Sequence, residues 1–332
     1  MRSRALLWAG LAVVVVVGYW VASAVLLPAG GSRVVIVQMP RDASAGDIGQ
    51  ILAARGVIRS AFGFRLLARV AGNSASLKPG AYKLSPSMAP LAVLGKISKG
   101  DAYALWITCP EGFTIRRIGE RLEAEGAGDA ERFYNLARFG GASFPTSFPH
   151  PSDSLEGYLF PDTYLAPVGE PEEKFIQEML ACFERKVAVP LAADISASGM
   201  SLHEIITLAS LIEREAKIPK DRPLVSAVLH NRLAKNMRLE CDATVLYALG
   251  RHKNRVLYRD LDVDSPYNTY RYAGLPPGPI ANPGLDSIKA ALHPARVDYL
   301  YYVARGDGSH IFSRTFADHQ RARRLVARKD AL

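Results

Sequence analysis

What this 332-residue chain lacks narrows its chemistry before any motif is read. Its three cysteines, Cys109, Cys182 and Cys241, are too few and too scattered for a disulfide framework or a thiolate zinc site, so structural thiols are the default. It has seven histidines, three of them late in the chain (His293, His310 and His319), but no H-E-x-x-H spacing, and no metal is expected. There is no G-x-S-x-G elbow and no S-x-x-K, which argues against serine acyl transfer. Cys241 follows His230, yet no ordering marks it as a nucleophile. No glycine-rich phosphate loop follows a strand, which excludes nucleotide chemistry, and no cofactor is expected. Charge is missing altogether from Ala5 to Leu27.

That uncharged run, ALLWAGLAVVVVVGYWVASAVLL, would reach roughly 34 Å as a helix, enough to cross a bilayer. It exceeds a signal-peptide core and no convincing small-x-small cleavage site follows, so we read residues 5–27 as a retained anchor, with a cleaved signal as the alternative. Arg2 and Arg4 precede it, so residues 1–4 stay cytoplasmic and the body is exported. The rest, with the chain at 49% hydrophobic and 22% charged, reads as an ordinary globular protein of one or two domains. The net charge of +9 suits anionic lipid or an anionic polymer. Together with the basic HQRARRLVARKD near the C-terminus it is not specific enough for nucleic-acid binding, which an exported body also argues against.

The pattern over 32–100 is strand, helix, helix, strand, helix, which makes a small α+β module. Residues 101–150 repeat the theme, with Thr114 as an N-cap, and end in the loop FGGASFPTSFPHP. SLEGYLFPDTYLA combines aromatics with Glu156, Asp162 and Tyr164, as sugar-gripping surfaces do and as ordinary cores also do. Ser201 opens a helix whose apolar stripe is Leu202, Ile205, Ile206, Ala209, Ile212 and Ala216. Glu213 lies close to that stripe. Glu215 is about 200° away from Glu213, on the side of Leu208 and Leu211. Glu213 must then be paired or hydrogen-bonded, while Glu215 can face a cleft where burial raises its pKa, which suits a general acid. The plain alternative is a solvated helix end with Arg214 and Lys217 as counter-charges. A second helix follows with Asp221 as N-cap, then MRLECDATVLYALG and a Tyr-, Pro- and Gly-rich loop, YNTYRYAGLPPGPIANPG, stiff enough to wall a substrate. With other chemistries excluded, acid/base cleavage of an extended, exported glycan fits best.

The motifs EGYLFPDTY (156–164), LASLIEREA (208–216), HNRLAKNMRLECDATVLYALG (230–250), YNTYRYAGLPPGPIANPG (267–284) and YLYYVARGDGSHIFSRTFADH (299–319) resemble, in the same order, the endolytic murein transglycosylase (YceG-like) family. The resemblance implies an α+β fold: a bacterial inner-membrane anchor, a LysM-like module over 32–100, a connecting segment over 101–150 and a catalytic domain over 151–332. It implies cleavage of the MurNAc-β-1,4-GlcNAc bond within nascent peptidoglycan strands, leaving 1,6-anhydro-MurNAc ends, with peptidoglycan synthases as neighbours. It matches the catalytic acid to Glu215 and a supporting role to Glu213. The chain departs from the family pattern at Glu240, usually Gln, at Ala243, usually Pro, and at His293, often Asn. Candidate substrate-binding residues are Glu156, Asn231, Glu240, Asp242, Thr244, Tyr247, Tyr267 and Asn268. A hydrolytic muramidase and a non-catalytic glycan-binding protein are the rival readings.

Overall fold

The computed structural model describes residues 18, 19, 22, 23, 25–40, 42–151, 153–250 and 257–329. The expected tail over 1–4 and most of the expected span over 5–27 lie outside them. Among the described residues, no single helix is long and apolar enough to cross a membrane. These residues form a mixed α+β fold with twelve α-helices and three two-stranded sheets.

The chain divides into two compact units, residues 1–106 with 165–170, and residues 107–164 with 171–332. The first holds β1 (Val35–Met39), α1 (Ala45–Ala54), α2 (Ala61–Val70), β2 (Gly80–Leu84) and α3 (Pro90–Lys99). Strands β1 and β2 pair antiparallel, Val35 opposite Leu84 through Met39 opposite Gly80. Their inward faces bury Val37, Met39, Tyr82 and Leu84 against Ile48 and Leu52 of α1, Phe64 of α2, and Val93, Leu94 and Ile97 of α3. Alternation along the strands and three- to four-residue spacing along the helices generate this core.

The strand–helix–helix–strand order then recurs in β3 (Ala104–Thr108), α4 (Ile115–Ala124), α5 (Ala130–Phe139) and β4 (Thr163–Pro167), and β3 pairs with β4. Local devices recur with it. Ser44 and Thr114 cap α1 and α4 by accepting from the amides of Asp47 and Arg117. Gly49 and Gly119 face the helix that follows, where a Cβ would come within 2.8 Å of the carbonyls of Ala61 and Ala130. Gly56 and Gly126 take φ +69° and +72° just beyond α1 and α4, and the next amide in each case returns to Leu52 or Leu122. AFGFRLLARV of α2 and AERFYNLARF of α5 align without gaps and bury the same positions, Phe64 with Phe133 and Ala68 with Ala137.

The second unit continues through α6 (Glu172–Phe183), α7 (Ala192–Ser198), α8 (Leu202–Glu215), α9 (Arg222–Ala234), α10 (Asp242–Leu249), α11 (Leu285–Leu292), the hairpin β5 (Tyr301–Ala304) and β6 (His310–Ser313), and α12 (Phe316–Lys329). Helix α8 is the centre. Ser201 and Glu204 form a capping box at its start, and every residue from Ile205 to Ile212 is buried. It packs against α9, α10 and α11, so its final turn is surrounded by elements from later in the chain. Asp221 holds the N-cap position of α9, as expected, but does not cap it through its side chain. Its carboxylate instead accepts from the His310 amide at 2.9 Å and lies 3.0 Å from His310 Nδ1. A buried carboxylate is held better by an imidazole and an amide than by a helix start that Pro223 already suits.

Asn282 ties the loop after α10 to the segment before β4. Its side-chain oxygen accepts from the Gly157 and Leu159 amides, both at 2.9 Å, and its NH2 donates to the Phe113 carbonyl and to Glu156. Gly157 has φ +91°, and a Cβ there would lie 2.5 Å from Pro279 and 2.8 Å from Ile206. Gly157→Ala is therefore expected to cost about 3 kcal/mol, from backbone strain and overpacking together. A thermal melt lowered by only a degree or so would contradict this.

Candidate active site

Two carboxylates leave the last turn of α8, and each meets the N-terminus of a different helix. Glu213, its side chain 8% exposed, accepts from the Gly284 amide at 3.1 Å and the Ser287 hydroxyl at 2.7 Å, at the start of α11. The Arg222 guanidinium lies 3.5 Å away and also reaches Glu111 and Asp286. This glutamate is fully engaged in joining α8, α9 and α11.

Glu215 projects to the other side, part-buried, at the start of α10. The donors within its reach are the Tyr302 hydroxyl, from β5, and the Ala243 amide. Loss of water around the carboxyl raises its pKa to about 7, and the charge of Asp242 adds to the rise. The two donors and Arg214 oppose it without cancelling it. Such an acid is protonated in a large fraction of molecules at neutral pH. Proline at 243, which the family resemblance gives for relatives, would have no N–H to offer here. The same cluster contains Asp242, which accepts from the Tyr270 hydroxyl at 2.6 Å. It also contains Cys241, whose thiol burial holds well above the usual range.

Glu156 forms a second cluster one and a half turns along α10. It accepts from the Ile115 amide at the start of α4 (3.0 Å), from Asn282 (3.1 Å) and from the Tyr247 hydroxyl (3.4 Å). Burial still outweighs those donors and pushes it up to about 8. Tyr247 packs on Tyr267 with ring centroids 4.9 Å apart.

The remaining candidates divide. Asn231 donates to the carbonyls of Val297 and Tyr299, both at 2.9 Å, and holds the chain leading into β5. Thr244 is buried between the Cys241 carbonyl and Thr269. Asn268 donates to the carbonyls of Leu261 and Val263, both at 2.8 Å, and fixes its own loop. Glu240 adopts φ +55° and pairs with Arg232 at 3.0 Å, with its side chain about half exposed. Asp242 is thus the candidate gathered around Glu215, while Tyr247 and Tyr267 gather around Glu156. The sequence reading missed Tyr302, Tyr270, Asn282 and Arg222. Of these, Tyr270 and Asn282 fall within the stiff loop it singled out. Among the described residues, no group of His, Cys, Asp and Glu can hold a metal ion.

A family model described as the YceG-like family matches residues 37–325. The chain belongs to the YceG-like family. The endolytic murein transglycosylase of Bacillus subtilis (strain 168) is 37% identical over 309 residues, covering 86% of this chain and 83% of the relative. That of Streptococcus pneumoniae serotype 2 (strain D39 / NCTC 7466) is 30% identical over 337 residues, 92% of this chain and 61% of its own length. The crystal structure of a YceG-like protein from Listeria monocytogenes superposes with a TM-score of 0.56 at 36% identity, covering 88% of this chain and 99% of that one.

In this YceG-like chain the proton affinity of Glu215 is set by neighbours of opposite effect, which gives a signed test. Asp242→Asn removes a charge that raises it, so the Glu215 pKa falls. Tyr302→Phe removes a donor to the carboxylate, so it rises. Carbon-13 NMR titration of the glutamate carboxyls reads both, and shifts of the same sign in the two variants would refute the assignment. Glu156 supplies a stability test. Its folded pKa of about 8 exceeds the unfolded value, so its contribution is full below about pH 4.5 and declines as pH rises towards 8. Glu156→Gln, with Tyr247 turning its hydroxyl to accept, is expected to flatten that decline in Tm between pH 5 and 8.

Proposed function

We propose that this chain is a lytic transglycosylase of peptidoglycan, cleaving the MurNAc-β-1,4-GlcNAc bond inside glycan strands. The observation carrying this reading is Glu215, a carboxyl raised to about 7 at the mouth of α10 beside Tyr302 and Asp242. Support comes from relatives named endolytic murein transglycosylases.

Protonated Glu215 donates to the glycosidic oxygen as the C1–O bond breaks. The resulting glutamate then takes the proton of the muramyl C6 hydroxyl as that oxygen bonds to C1, closing a 1,6-anhydro ring. Proton and electron pairs balance without water, and Glu215 ends the cycle protonated. A pKa near 7 suits both halves, because the group must give and accept a proton at the same pH. Tyr302 and the Ala243 amide stabilise the carboxylate formed midway. Tyr247 and Tyr267 offer aromatic faces and hydroxyls to sugars further along α10, and Glu213 holds the scaffold. In this reading residues 5–27 anchor the protein in a bacterial inner membrane with its N-terminus cytoplasmic. Residues 32–100 form a LysM-like module, the catalytic unit is extracytoplasmic, and peptidoglycan synthases supply the nascent strands. No cofactor takes part.

One observation favours a second reading. Asp242 is close enough to Glu215 to raise its pKa, so two carboxylates share the site, as in a hydrolytic muramidase. Digestion of uncrosslinked glycan strands with mass analysis separates the two. Anhydro ends, one water lighter than reducing ends, are expected. Asp242→Asn should keep cleaving, with the alkaline limb of kcat/KM moved to lower pH, whereas a hydrolase needing Asp242 would lose activity. Glu215→Gln is expected to lose at least a thousandfold in kcat while still folding. Glu213→Gln should lose about 2 kcal/mol of stability, because the Gly284 amide, the Ser287 hydroxyl and Arg222 lose a charged acceptor while Arg222 keeps Glu111 and Asp286. Full cleavage by Glu215→Gln would end the proposal.

A further inference from the structure

The charge of this protein is unevenly placed. Residues 32–100 carry ten basic and two acidic side chains, a net +8 of the chain's +9, and from Ile48 to Gly100 there is no acidic residue. Residues 101–332 hold 29 basic against 30 acidic. Within the basic module, α2 has two apolar faces. One is buried through Phe64 and Ala68. The other exposes Phe62 (63%), Leu66 (39%) and Val70 (79%), a stripe at four-residue spacing, with Arg65 and Arg69 beside it. The Arg65 guanidinium lies 5.4 Å from the centre of the Phe62 ring.

The fold does not require that stripe. In the aligned helix α5, which buries Phe133 and Ala137 at the matching positions, Phe62 and Leu66 are replaced by the exposed Glu131 and Asn135, and only the last stripe position stays apolar, as Phe139. Large apolar side chains lined up on a solvent face, rimmed by arginines, mark a binding surface. We infer that this face of α2 docks on the headgroup layer of an anionic lipid bilayer, with Phe62, Leu66 and Val70 at the acyl boundary and the arginines among the phosphates. An interfacial helix has this build. Two further observations favour lipid as the occupant. The positive charge is concentrated in this module, where anionic headgroups would attract it. The uncharged run over 5–27 also ends only eight residues before Val35, a tether of at most about 28 Å. The inference rests on the membrane anchoring proposed above. It gives the module a role beside any glycan contact, fixing its orientation at the bilayer surface.

The test uses the full chain reconstituted into nanodiscs, with Leu66→Cys carrying an environment-sensitive fluorophore and Glu123→Cys, on an exposed position of α4, as the comparison. In discs containing phosphatidylglycerol, the label at 66 is expected to shift to the blue and to be quenched several-fold more by bromolipid than the label at 123. The difference should shrink in phosphatidylcholine discs, in high salt, and in Arg65→Gln/Arg69→Gln, which should still cleave soluble glycan strands at the unaltered rate. A chain that fails to enter discs overturns the anchor and this inference together. Entry with the label at 66 as water-exposed as that at 123 overturns this inference alone. So does protection that appears only when glycan strands are added, since the face would then bind polymer rather than lipid.

Discussion

The C-terminal turn of α8 presents one carboxyl to the start of α11 and another to the start of α10, and the architecture of the second unit follows from that divergence. A helix N-terminus offers unpaired amides and a partial positive charge, worth up to about 2 kcal/mol to an anion in a partly buried setting. Glu213 receives that, a serine hydroxyl and a guanidinium at 3.5 Å. Glu215 receives the amide and a tyrosine hydroxyl, but faces Asp242 where Glu213 faces Arg222. The rise from 4.5 to about 7 means desolvation and that carboxylate outweigh the donors by roughly 3 kcal/mol. Two glutamates two residues apart thus become a bracket and a carboxyl of raised pKa, because about 200° of helix rotation gives them different neighbours.

Glu156 shows that helix position alone does not decide the outcome. It also accepts an amide at a helix start, with Asn282 and Tyr247 adding two more donors, yet burial carries it to about 8. Its environment has more donors than that of Glu215 and less water. Removal of solvent is the largest effect on both carboxyls, but the next differs: the Asp242 charge for Glu215 and the Ile115 amide for Glu156.

Periodicity exposed the elements well. The strand–helix–helix–strand order over 32–100, the Thr114 cap and the buried stripe of α8 are local patterns, and local patterns survive in a sequence. The 200° separation of Glu213 and Glu215 was legible for the same reason. The partners of those glutamates were not, since Tyr302 and Ser287 join the chain more than seventy residues later and nothing in YLYYVA marks one tyrosine over its neighbours. Asn231, Thr244 and Asn268 mislead in the opposite direction. They have the residue types that hold sugars, but irregular backbone needs partners for its own carbonyls and amides, and these side chains supply them. Asp221 went to His310 for a similar reason, a long-range partner displacing a local cap.

The repeated strand–helix–helix–strand order lets one packing scheme carry two different surfaces. Two copies of a helix bury the same side chains and differ on the surface, where one has Phe62, Leu66 and Arg65 and the other Glu131, Asn135 and Tyr134. Substitutions on an exposed face cost little stability, so such faces can diverge while the core stays fixed. Nearly all the net positive charge collected in the first copy and its surroundings, and the remainder of the chain is close to neutral. Cations near a carboxyl favour the carboxylate and so reduce the fraction that is protonated near neutrality. The charges that act on Glu215 belong to its own unit: Asp242 raises its proton affinity and Arg214 lowers it, beside burial, the Tyr302 hydroxyl and the Ala243 amide.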